Sequence, residues 1–139
     1  MISVNDMIEF KNKIEIKIKT TLNKTEDVKI IINAIENIVK VNCEISKDGV
    51  NGSTDDFNKL KNLYEIFRNK QTTHIARKVL LRNSNNNVSK ILFNKQTAAI
   101  NSIVICEKAN ESPLGPIVME INTENIEEFI DWFVPRHKI

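Results

Sequence analysis

The sequence predicts an α+β domain, a largely antiparallel sheet with helices packed mainly on one face. Three observations predict it. The run "KIEIKIK" alternates strictly, so Ile14, Ile16 and Ile18 share one side while Lys13, Glu15, Lys17 and Lys19 share the other; this is a strand with one wet face. Later strand-like runs follow one another across short turns, which favours antiparallel pairing. Between them lie segments whose apolar residues recur at helical spacing on one side only.

The elements follow in order. A strand covers residues 11–19. Acids suited to a helix N-terminus, Glu26 and Asp27, open a helix over about 25–39 that carries Val28, Ile31, Ile32, Ile35, Ile38 and Val39. "VNCEI" reads as a second strand, and Asp48-Gly49 as a hairpin turn into a short edge strand at 50–52. Ser53 or Thr54 caps the next helix, whose stripe is Phe57, Leu60, Leu63, Tyr64 and Phe67. A further helix spans 71–83, and "NSNNN" is a polar loop. "VSKILFN" and "NSIVICE" read as strands, and a strand with Ile117, Met119 and Ile121 on one side follows the next turn. Thr123 caps a last helix that buries Ile126, Phe129, Ile130 and Phe133 and stops at Pro135. The predicted order is β-α-β-β-α-α-β-β-β-α.

With 139 residues, 41% of them hydrophobic, the chain suits one domain over 1–139, with residues 1–10 as an N-terminal extension. Such a chain buries roughly two-thirds of its unfolded surface and needs no disulfide or metal staple. Cys43 and Cys106 stand far apart in apolar runs and read as free thiols of a reducing cytoplasm. No run approaches the roughly 18 apolar residues of a membrane span. The first residues hold Asp6 and Glu9 and no basic leader pattern, so no secretory signal is predicted.

Charge is unevenly placed. Residues 57–108 hold ten basic and two acidic side chains, a surplus of eight positive charges in a chain whose net charge is +2. A basic middle in an otherwise acidic chain is a footprint for a polyanion. Within it, His74, Arg77, Lys78 and Arg82 fall on one side of the 71–83 helix, opposite Ile75, Ala76, Val79 and Leu80; Leu81 sits on the basic side and breaks the pattern. Arginine grips phosphate bidentately and lysine adds point charge. "NKQTAA" is read as the polar end of a strand, where Asn94, Lys95 and Gln96 could meet a ligand.

Catalytic templates fit poorly. The two histidines, His74 and His137, stand in no metal-binding pattern. Lys95 lies in no phosphate-loop motif, Ser102 and Ser112 in no nucleophile elbow. No cofactor is implied. "SPLGP" reads as a rigid turn, since Pro113 and Pro116 remove backbone donors that a phosphate loop would need.

Four segments resemble one family. "LFNKQTAA", "ESPLGPI" and "IDWFVPR", with "ARKVLLR" upstream, resemble an archaeal family of uncharacterised proteins, number 0201 in its series. The matching positions are Ala76, Arg77, Leu80, Leu81 and Arg82; Asn94, Lys95, Gln96 and Ala98; Ser112 to Ile117; and Asp131, Trp132, Pro135 and Arg136. The chain departs from the pattern at Phe93, Thr97, Ile100-Asn101 and Phe133-Val134. The resemblance implies a fold similar to that of a large-subunit ribosomal protein, number five, and with it RNA binding by analogy of fold alone. It transfers no catalytic residue.

The expected function is therefore a cytoplasmic, non-catalytic RNA-binding protein. Arg77, Lys78, Arg82 and Lys95 would hold phosphates, Arg68, Lys70 and Arg136 would extend the patch, and Asn94 and Gln96 would be the polar readers. Two alternatives stay open: a homodimeric interaction module without nucleic acid, and an enzyme on a phosphorylated substrate using Lys95, Arg77 and Asp131.

Overall fold

The structure, a computed structural model, describes residues 13–136. The predicted N-terminal extension and His137 lie outside them. Six strands form one antiparallel sheet: β1 (Ile14–Thr20), β2 (Cys43–Ser46), β3 (Gly49–Thr54), β4 (Val88–Phe93), β5 (Ile105–Cys106) and β6 (Ile117–Thr123). Their spatial order is β2-β3-β1-β6-β4-β5. Five α-helices accompany them: α1 (Val28–Ile38), α2 (Lys61–Ile66), α3 (Lys70–Arg82), α4 (Lys95–Ala99) and α5 (Ile126–Phe133).

The alternation in β1 does what its period of two requires. Ile14, Ile16, Ile18 and Thr20 are buried and the residues between them exposed. Register places Ile16 opposite Ile121 and Ile18 opposite Met119, and Met119 also faces Ile91 on β4. The sheet thus has one apolar face, against which α1 buries Ile31, Ala34, Ile35 and Ile38 and α5 buries Ile126, Phe129, Ile130 and Phe133. The other face is polar: Lys17 lies opposite Glu120, and Glu120 opposite Lys90, pairs of opposite sign that suit facing strands.

Side-chain caps set the helix starts. Asp27, Asn69, Asn94 and Asn125 each accept a backbone N–H of the first turn, a contact worth about 1 kcal/mol apiece. Several predicted boundaries move for this reason. Asn94 opens a helix, so 94–99 is not the end of a strand but α4, an element the sequence order lacked. Thr123 stays in β6, donating its hydroxyl to the Lys13 carbonyl at 2.8 Å, and Asn125 takes the cap. Asp56 caps a single 3₁₀ turn, Phe57–Leu60, ahead of α2. The strand predicted over 101–107 shrinks to β5, and β3 is interior while β2 forms the edge.

The "SPLGP" turn closes as predicted, with the Gly115 N–H donating to the Ser112 carbonyl at 3.0 Å. Gly115 holds φ +91°, and a Cβ there would sit 2.9 Å from the Thr21 hydroxyl oxygen. Gly49 is tighter: at φ +147° its Cβ would meet the Thr20 carbonyl at 2.1 Å. Both glycines let a turn approach the end of β1. Gly49→Ala should therefore cost more stability than Gly115→Ala, the latter about 1–3 kcal/mol; chemical denaturation of the two variants checks the order.

Candidate functional site

Three predicted site residues, Asn94, Lys95 and Gln96, begin α4. The structure places Lys95 in the interior, with 1% of its side chain exposed. Its ammonium donates to the carbonyls of Thr21 and Leu114, both at 2.9 Å, and to the Glu26 carboxylate at 3.0 Å. All three ammonium protons thus have an acceptor. Its backbone N–H donates to the Ser112 hydroxyl, which in turn donates to the Gly115 carbonyl at 2.9 Å and has the Gln96 side-chain oxygen 3.3 Å away. Leu114's carbonyl also accepts from Asn23 and Thr21. The Asn-Lys-Gln and Ser-Pro-Leu-Gly-Pro motifs are therefore two halves of one buried knot, far from where a solvent-borne phosphate could reach the ammonium.

Glu26 was not singled out from sequence, since an acid before a helix reads as a surface residue. Burial alone would raise its carboxyl pKa. The Asn23 backbone and side-chain N–H groups, together with the Lys95 ammonium and its charge, outweigh that and hold it below the ordinary value.

A second cluster joins α3 to the end of α5. The Arg77 guanidinium donates to the Val134 carbonyl at 3.1 Å and pairs with Asp131 at 2.9 Å, with 17% of its side chain exposed. Arg68 donates to the Phe133 and Tyr64 carbonyls and lies 3.9 Å over the Tyr64 ring. Two arginines thus satisfy the last carbonyls of α5, where positive charge is favoured. Arg82 donates to the Glu107 carbonyl at 2.8 Å, and Lys78 pairs with the Glu107 carboxylate at 3.2 Å, largely in solvent.

Beside this cluster the structure opens a groove of about 950 Å³ between α3 and the chain after α5. Four predicted site residues line it: Lys70, Arg77, Lys78 and Arg136. His74 and Gln71 join them, with Ile75, Leu81 and Pro135 as apolar surface. Among the described residues no carboxylate lines it. Sequence reasoning put Ile75 on the core side of the helix, but it is 41% exposed here, and Leu81 is 40% exposed. The oddly placed Leu81 was the one signal of this apolar floor. Arg68, Arg82, Asn94, Lys95 and Gln96 are not among the lining residues. A second groove, about 640 Å³, lies by the ends of β1 and β3, where Lys17 and Lys19 share the lining with Asp48.

Other chemistry finds little footing. Cys43 and Cys106 are free; burial, with the neighbouring charges of Glu36 and Glu111 respectively, pushes both thiols up, away from the reactive thiolate. Among the described residues no group of three His, Cys, Asp or Glu could hold a metal ion, and no helix is long and apolar enough to cross a membrane.

Fold and groove define a class: a small α+β protein, its antiparallel sheet covered on one face, that presents a cationic groove with an apolar floor. The chain belongs to the UPF0201 family. It is 30% identical over 122 residues to a UPF0201 protein of Methanothermobacter thermautotrophicus, covering 87% of this chain and 91% of that one. A crystal structure of an uncharacterised UPF0201 protein superposes with a TM-score of 0.76 at 30% identity, covering 90% of this chain and 96% of the other. The UPF0201 protein of Methanococcus jannaschii gives 0.74 at 26% identity, covering 89% and 95%. No protein-family model matches the chain.

Three expectations follow. Lys95→Met leaves Glu26 buried without its partner and should cost about 3–5 kcal/mol. Because the folded Glu26 pKa is depressed, its stabilisation is full above the unfolded value, about 4.3, and fades as pH falls through the folded one. Glu26→Gln should flatten the fall in stability below that pH, as read by urea denaturation at a series of pH values. Arg77→Ala, which frees a carbonyl at the end of α5, should lower stability by about 1.5–3 kcal/mol, whereas Lys70→Ala should change it by less than about 0.5 kcal/mol; thermal melts of the pair separate a clamp from a free surface charge.

Proposed function

We propose that this protein is a non-catalytic RNA-binding protein that contacts phosphates through the groove between α3 and the chain after α5. One observation carries this reading: Lys70, Lys78 and Arg136, with Arg77 at the edge of its clamp, line one groove that, among the described residues, no carboxylate lines. Arg77 and Lys78 are paired with Asp131 and Glu107, whose carboxylates do not line the groove, so Lys70 and Arg136 supply most of its excess positive charge, which raises the local potential and attracts a polyanion. The ribosomal-protein likeness implied by the sequence motifs points the same way, by analogy of fold. The reading narrows the set of phosphate contacts. Lys70, Lys78 and Arg136 are exposed and available, while Lys95, Arg68 and much of Arg77 serve the fold.

The test is binding of a labelled RNA hairpin at two salt concentrations, with Lys70→Glu/Lys78→Glu beside the wild type. Wild-type affinity should fall steeply with salt. Each lost phosphate contact should reduce the slope of log affinity on log salt by about 0.7–0.9, so the folded double variant should bind more weakly and with a shallower slope. Absence of wild-type binding at low salt would sink the reading.

A homodimer is the second reading, favoured by one feature. β2 is an edge strand whose Ile45 is 60% exposed, and an uncovered apolar edge invites strand pairing. A dimer by sedimentation that Ile45→Lys converts to monomer would support it.

A further inference from the structure

We infer that the groove's RNA ligand carries an unpaired nucleotide within a helical stem, a bulged base, seated on the floor formed by Ile75, Leu81 and Pro135; the inference rests on the RNA reading of the same groove. A continuous duplex presents phosphates and riboses outward, and these gain nothing from an aliphatic floor. Contact with phosphate alone is served by flat or convex basic surfaces. Here Ile75 and Leu81 are each about two-fifths exposed, on a helix whose remaining apolar residues, Ala76, Val79 and Leu80, are fully buried. Leu, Ile, Met and Pro are non-aromatic side chains that nucleic-acid-binding proteins set against base faces, and three of these types line this floor.

Size and charge agree. The space, about 950 Å³, lies in the range that accepts a small organic group, so it can take one nucleotide while its neighbours run on along the rim. Lys70 and Lys78 stand about two turns of α3 apart, roughly 12 Å along the helix axis, more than one backbone step, so the two can hold non-adjacent phosphates on either side of a displaced base. A base already unpaired avoids the few kcal/mol of unstacking that a paired one would require, and recognition of RNA generally works on such splayed bases.

The experiment compares two hairpins with the same closing loop, one with a fully paired stem and one whose stem carries a single-nucleotide 2-aminopurine bulge. Each is titrated with wild type, Ile75→Ser/Leu81→Ser and Lys70→Glu/Lys78→Glu, all checked by thermal melt. The wild type should prefer the bulged hairpin by about tenfold and change the 2-aminopurine fluorescence. The serine variant should lose that preference and the fluorescence change while still binding the paired hairpin. The glutamate variant should weaken on both RNAs alike. Equal wild-type affinity for the two hairpins, or a preference that survives the serine substitutions, overturns the inference and leaves the RNA reading standing. If neither hairpin binds at low salt, the RNA reading itself fails.

Discussion

The fold turns on one buried cation. Lys95 has surrendered its hydration, and three acceptors from distant parts of the chain replace it: Thr21 after β1, Glu26 before α1, and Leu114 in the turn before β6. An ammonium taken out of water is tolerated only where every proton is met and a countercharge lies near. That requirement fixes three loops against one another at the end of the sheet where β1 and β6 lie side by side. The same end explains the turn's composition. Proline stiffens it, Gly115 lets it approach Thr21, and the Leu114 carbonyl is turned inward to collect three donors. Such a network is worth more than its separate bonds because each polarises the next.

A second cluster uses arginine for a similar purpose. α5 is short, and its last carbonyls lie against α2 and α3 with no further turn to satisfy them. Arg68, in the turn between those helices, and Arg77, on α3, reach across and supply the donors. Around them Tyr64, Phe67, Phe129, Trp132 and Phe133 pack ring against ring. The Ile-Asp-Trp-Phe-Val-Pro-Arg ending thus joins the "ARKVLLR" helix through Asp131 and the carbonyls beyond it. Two of the family motifs meet here and two meet at Lys95.

This accounting changes what the positive surplus of residues 57–108 means. Part of it is internal countercharge and part is helix capping. What remains toward solvent is smaller and more local: lysines and an arginine around an apolar floor on the outer side of α3. A functional surface built from what the fold does not consume is narrower than the charge count suggests, but chemically more specific, because it combines cations with aliphatic surface.

The family membership read from the motifs agrees with the 30% identical relative and with the matched UPF0201 structures, and the α+β class with six antiparallel strands was legible from local pattern. β1's alternation is a period-of-two signal that no tertiary contact needed to supply, and the apolar stripes of α1 and α5 likewise declared their buried faces. α4 was not legible, because its five residues follow a strand without a break and only the Asn94 cap separates them. Nor could local sequence say that Lys95 is internal: its three acceptors lie 74, 69 and 19 residues away. By itself, then, the sequence determined the longer elements, most of their inward faces and the surplus of charge, since these depend on neighbours within a turn or two of chain. Only the tertiary structure decided which cations are consumed in the interior and which remain outside, because a buried charge is chosen by where distant carbonyls and carboxylates converge.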